Sequence, residues 1–211
     1  MIPRLFALLL LTLPNLAQAR CVTADDLATG IAFKRQDGRS GLALAKGKTV
    51  DINYNANPTT AWRDKRVTDR GIYELTRGSY PSDEEIVGAG PGGYFEYRLS
   101  GKPPVPKAGS SWKTTVTTKT TSDAGTEAGP QVQRGKMTAT YSFQAVTEAT
   151  LSGCTYRIQP VEATFLAENT HTTKRWIYFP DLGFGLETRV TVHNTGEDRK
   201  LGLTSFRPKD K

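Results

Sequence analysis

The chain has 211 residues, 37% of them hydrophobic, and a formal net charge of +7, which is room for one sizeable core and not obviously for two. Its 28 Lys and Arg are scattered instead of gathered on one segment, which argues against nucleic acid as a partner. With two Cys, and two His isolated from each other in sequence, it lacks the clustered ligands of a zinc or copper site.

The first residues read as a secretory leader. Met1-Ile-Pro-Arg4 is a positive start, Leu5 to Leu13 an apolar run, and Ala17-Gln18-Ala19 a small-x-small cleavage signal with Arg20 as the new N-terminus. The apolar run, about nine residues, is too short to cross a bilayer as a helix. Arg20 stands directly before Cys21, where lipid attachment wants a small residue, so a lipoprotein is not expected. Loss of the leader removes Arg4 and leaves a net charge of +6. In an exported chain the two cysteines are most simply one disulfide, Cys21–Cys154.

After the leader, Thr23 to Gly30 has a helix N-cap, two early acids and a glycine stop, which predicts one short helix. Ile31–Arg35 and Ser40–Lys46 flank Asp37-Gly38, a hairpin signal, and Val50, Ile52 and Tyr54 alternate with polar neighbours. Residues 55 to 69 read as a charged loop containing Trp62. Strands are then expected at Gly71–Arg77, Tyr94–Leu99 and Trp112–Thr120, with a long connection over Gly78–Gly93 and a polar loop over Thr121–Arg134. Met137, Ala139, Tyr141, Phe143 and Ala145 alternate cleanly. Past Cys154 the alternation changes phase at Gln159-Pro160, which predicts a bulge or edge. Further strands are expected at Val161–Leu166, Lys174–Phe179, Phe184–His193 and Leu201–Phe206.

The sum is an all-β protein: an antiparallel sandwich or partly open barrel of about ten to twelve strands, with at most one short N-terminal helix, forming a single domain over 20–211 behind a 1–19 signal peptide. Its polar end and polar outward faces do not fit an outer-membrane barrel. The repeated Thr-x-Arg-x-Ile-Tyr at Thr68–Tyr73 and Thr173–Tyr178 raises the question of a duplication. Cys21, Asp26-Leu27, Gly30-Ile31, Asp37-Gly38 and Gly71-Ile-Tyr73 resemble the front half of uncharacterised exported proteobacterial envelope proteins. The resemblance implies a periplasmic setting and brings no activity with it.

Catalytic signals are sparse. There is no Gly-x-Ser-x-Gly, and Gly109-Ser-Ser-Trp sits in a loop without an evident base. Gly88–Gly93 lacks the Lys-Ser/Thr ending of a phosphate loop, and Asp83-Glu84-Glu85 matches no calcium loop. Two stretches remain as candidate ligand-binding positions. Trp176 and Tyr178 share one face of an aromatic strand that reads as buried on both sides. Glu187, Arg189 and His193 share the polar face of the next strand, opposite Phe184, Leu186, Val190 and Val192.

The expectation is a secreted or periplasmic, non-catalytic β-protein with an envelope or ligand-binding role, holding an apolar ligand or a cell-surface polymer. No catalytic residue, metal or cofactor is assigned. Expected partners are an anionic envelope component, a lipid or a glycan, without nucleic acid and without a membrane span once the leader is removed. The alternatives are a hydrolase acting on an envelope substrate, or a structural or assembly subunit.

Overall fold

The structure, a computed structural model, describes residues 20–55, 62–81, 93–122 and 129–209. The leader, the acidic run at 83–85 and the glycine run at 88–93 up to residue 92 lie outside the described residues.

Among the described residues a single helical turn, α1 (Asp26–Thr29), precedes fourteen strands. They are β1 (Ile31–Arg35), β2 (Ser40–Lys46), β3 (Thr49–Tyr54), β4 (Trp62–Asp69), β5 (Tyr73–Pro81), β6 (Gly93–Leu99) and β7 (Ser111–Ser122). The second half comprises β8 (Gln131–Phe143), β9 (Thr147–Leu151), β10 (Cys154–Ala167), β11 (Thr170–Phe179), β12 (Phe184–Val192), β13 (Glu197–Lys200) and β14 (Leu203–Pro208). All pairs are antiparallel, in one open sheet of order β13-β12-β11-β10-β8-β7-β6-β5-β4-β3-β2-β1-β14, with β9 on the other part of β10. The expected class is therefore observed, with more strands than the ten to twelve expected. The charged stretch from Trp62 is strand and not loop, β8 begins before the expected loop ends, and the short polar strands β9 and β13 had no alternation to reveal them.

Several local readings carry through. Gly38, at φ 82°, closes the β1–β2 turn, where the Gly38 amide donates to the Arg35 carbonyl. The phase change at Gln159-Pro160 is real. Cys154, Tyr156 and Ile158 are buried on one parity and Val161 and Ala163 on the other, and here β10 exchanges β9 for β8 as its partner. Tyr73 and Tyr178 both enter the core, but Thr68–Tyr73 crosses a turn while Thr173–Tyr178 runs inside a strand, so the sequence echo does not mark equivalent places.

The long sheet folds back on itself around two apolar clusters. The first joins β1–β3 and β14 to the start of β10 and the β11–β12 turn. Phe206 stacks on Phe179 at 4.8 Å and meets Tyr156 edge-on at 5.4 Å. The Cys21–Cys154 disulfide, with Cα atoms 5.6 Å apart, pins the segment before α1 here. The Val22 amide donates to the Tyr156 hydroxyl at 2.9 Å. The second cluster gathers inward residues of β5, β7, β8, β10 and β11 around Tyr141, whose ring meets Tyr73, Trp112, Phe165 and Trp176.

One backbone contact locks the fold-back. Gly71 (φ 72°), in the β4–β5 turn, approaches β12 so closely that a Cβ there would lie 2.0 Å from the Gly185 carbonyl oxygen. The Gly185 amide donates to the Arg70 carbonyl at 2.9 Å. Glycine at 71 is required twice, by its left-handed backbone and by this approach.

Candidate functional site

The candidate site arises where two bulged strands turn carboxylates inward. Between Val67↔Thr76 and Thr68↔Glu74 the register of β4 and β5 skips Leu75, so Glu74 faces the same side as Arg77 despite an odd spacing. Between Arg175↔Arg189 and Trp176↔Glu187 the register of β11 and β12 skips Thr188. That slip sends Glu187 inside, where it is 4% exposed, while Arg189 stays on the outer face. The expected grouping of Glu187, Arg189 and His193 on one face is corrected by this bulge. So is the grouping of Leu186 with Val190, which stand on opposite faces.

Inside, three carboxylates and three cations form one network. Arg66 Nη1 lies 3.1 Å from Glu187 and 3.9 Å from Glu74, and Arg66 Nη2 lies 3.2 Å from Asp64. Arg77 Nε donates to Asp64 at 3.1 Å, and Lys174 Nζ stands 3.3 Å from Glu74 and 3.6 Å from Glu187. The three charges of each sign balance, which makes so much buried charge tolerable. Burial raises the Glu187 pKa, but Arg66 and then Lys174 outweigh it and hold the carboxyl at about 2. Burial also pushes Asp64 up, and Arg66 and Arg77 pull it below the ordinary range. A carboxylate held ionised in this way accepts hydrogen bonds and has no proton to give near neutral pH, so Glu187 does not suit general-acid work.

The network spans the two clusters. On one side Arg66 lies over the Tyr54 ring at 5.0 Å, joined there by Arg35 at 4.7 Å and Arg39 at 5.2 Å. On the other side Glu74, Arg77 and Lys174 form one end of a cavity of about 210 Å³. Its apolar wall comes from Tyr97 and Leu99 of β6, Met137 and Tyr141 of β8, and Phe165 of β10, all half-buried except Tyr141. Tyr97 sits beside Glu74: burial first, and the neighbouring carboxylate second, push its phenol pKa up. Glu74 Oε1 is itself buried and accepts no hydrogen bond within normal geometry.

The other sequence candidates fall elsewhere. Trp176 and Tyr178 are both 4% exposed and belong to the second cluster; Trp176 backs Tyr141 and does not line the cavity. Arg189 forms a two-pronged pair with Asp198 on the outer face, at 2.8 and 2.7 Å. His193, isolated from His171 in sequence, stacks on it across β11–β12 at 4.0 Å, with Nε2 2.8 Å from the Thr173 hydroxyl. Glu74 and Lys174, which shape the cavity, went unmarked in the sequence. A carboxylate next to a skipped residue gives no periodic signal.

No family model matches the chain, and no curated protein matches it. Among solved structures it is similar to the hypothetical lipoprotein YmcC from Escherichia coli K12, at 11% identity over 90% of this chain and 91% of that one, with a TM-score of 0.47. A likeness of that degree assigns no activity.

Proposed function

We propose that the protein is a non-catalytic binding protein of the bacterial envelope that holds the apolar end of an amphiphilic ligand between β6, β8 and β10. The observation that carries this reading is the cavity of about 210 Å³ whose wall is apolar and whose end is a charge-balanced network. Its volume is below the roughly 300–1,000 Å³ of pockets that enclose a whole drug-sized ligand. It therefore suits one end of a chain or a single ring, the remainder of the ligand staying outside. At the charged end each of the three cations already contacts a carboxylate, while Glu74 Oε1, with the Tyr97 phenol beside the carboxylate, accepts no hydrogen bond within normal geometry. A hydroxyl or amine on the ligand complements that oxygen, and a free carboxylate does not. The envelope setting is supported by the leader-like first nineteen residues and by the disulfide.

The test is organic extraction of protein purified from the envelope fraction of its own host, followed by mass spectrometry. A stoichiometric amphiphile bearing a hydroxyl or amine is expected. It should disappear from a Leu99→Trp variant, whose larger side chain fills the cavity while the melting temperature stays within a few degrees. Extracts without a stoichiometric amphiphile, or identical in wild type and variant, would refute the reading.

A further inference from the structure

The outer face of β6–β7–β8 gathers cations that the sequence scatters. Register fixes the arrangement: Arg98↔Thr117↔Lys136 form one row across the three strands, Glu96↔Lys119↔Arg134 the next, and Lys113↔Thr140 a third. These positions point away from the core, since Lys113, Thr115 and Thr117 are exposed while Thr114 and Val116 between them are buried. Arg98, Arg134 and Lys136 are exposed as well.

The contrast with the rest of the same surface is in the pairing. On β10–β12 the outward arginines meet acids: Arg157–Asp181, Arg175–Glu162 and Arg189–Asp198. On β6–β8 the single acid in the described strands is Glu96, and Lys119 takes it at 2.7 Å. The Lys119 hydrogen bond lowers the Glu96 pKa, and the fields of Arg98 and Arg134 lower it further, which places all three cations around one carboxylate. Arg98 and Arg134 share Glu96 with Lys119 at longer range, and neither they nor Lys113 and Lys136 form a salt bridge with a described acid. Lys119 and Arg134 stand directly opposite each other, and like charges in that position destabilise a sheet. An external anion relieves that repulsion.

We infer that the outer face of β6–β8 is a docking surface for an anionic polysaccharide. The charge calls for carboxylate, phosphate or sulfate groups along a polymer, because the cations recur over three strands spaced about 4.8 Å apart. The threonines Thr115, Thr117, Thr138 and Thr140 between them supply hydroxyls that donate to and accept from sugar hydroxyls. A membrane surface fits less well. The large apolar residues exposed on this side, Val132 and Leu166, stand singly, and lasting peripheral membrane binding uses a contiguous apolar face alongside the cations. This surface is separate from the interior cavity, and the inference does not rest on the cavity's having a ligand.

The experiment measures binding of the full chain to polygalacturonate, to uncharged dextran and to phosphatidylglycerol vesicles. Three proteins are compared: wild type, a patch variant (Arg134→Glu with Lys136→Glu) and a control of equal net charge (Lys46→Glu with Lys48→Glu) in the exposed β2–β3 turn. Wild type and control should bind polygalacturonate in a salt-sensitive manner and ignore dextran. The patch variant should bind about thirtyfold more weakly, since each lost cation contributes about fivefold. A second variant, Arg98→Gln with Lys113→Gln, gives the same reading without charge reversal should the first fold poorly. Equal losses in patch and control variants would overturn the inference in favour of diffuse net charge. Absent polygalacturonate binding would overturn it too, and vesicle binding in its place would reassign the surface to lipid.

Discussion

The two apolar clusters are built from similar residues and serve different ends. Around the disulfide, Phe179, Phe184 and Phe206 stack, Tyr156 meets Phe179 and Phe206 edge-on, and the closed group is tied to the segment before α1 by Cys21–Cys154 and to β14 by Phe206. Around Tyr141 the rings are equally dense, but Tyr97, Leu99, Met137 and Phe165 are only half-buried and enclose a cavity. What separates them is the Arg66 network, which presents a cation to the Tyr54 ring on one side and Glu74, with Arg77 and Lys174, to the cavity on the other. The comparison teaches that burying charge in this fold is not an economy of packing. An apolar replacement of an ion network is often neutral or stabilising, so stability alone does not explain keeping one. Here it ends at Glu74, a lining residue of the cavity whose Oε1 is buried and accepts no hydrogen bond within normal geometry.

Breaking the closed cluster should cost the most. The disulfide closes a loop of 133 residues, and replacing Cys21 and Cys154 by Ser should lower stability by up to about 5 kcal/mol in the chain-entropy model, read from chemical denaturation. Gly71→Val, which sets a side chain against the Gly185 backbone at an unfavourable φ, should cost about 4 kcal/mol by the same measurement. A loss below about 1 kcal/mol would mean that the fold-back is not locked there.

Breaking the network should cost somewhat less. Arg66→Met leaves Glu187 with Lys174 alone and should destabilise by about 3 kcal/mol. The network also sets an acid limit. Glu187 has a folded pKa of about 2 against an ordinary 4.5, and a depressed pKa contributes stability that is complete above the unfolded value and lost as pH falls through the folded one. Stability should therefore decline from about pH 4.5 downward and fall most of the way by about pH 2, and Glu187→Gln should flatten that decline. An unchanged acid profile in the variant would show that other carboxylates control it.

The same contrast explains what the sequence disclosed. The limits of β1, β2 and β3 in the closed cluster are legible to the residue, because apolar stretches there are bounded by turn residues. β4 was illegible because its inward positions, Asp64, Arg66 and Thr68, are polar, so a buried strand looks like a charged loop. β12 was legible as a strand but not in its facing, since the bulge at Thr188 reverses the parity of everything before it. The outer cations were present in the sequence and only the pairing of β6, β7 and β8 reveals that they are neighbours. Interior charges and bulges, the features that shape the candidate site, erase the periodicity by which strands are read.

The smallest effect expected on stability accompanies the most informative one on binding. The central claim, that the second cluster is a receptor and the first a scaffold, is tested most directly by methyl NMR during titration with decanol. Saturable shifts are expected at Leu99, Val116 and Met137, which line the cavity, with Val50 and Ile52 of the closed cluster unmoved. Absence of shifts, or shifts spread equally over both clusters, would contradict it.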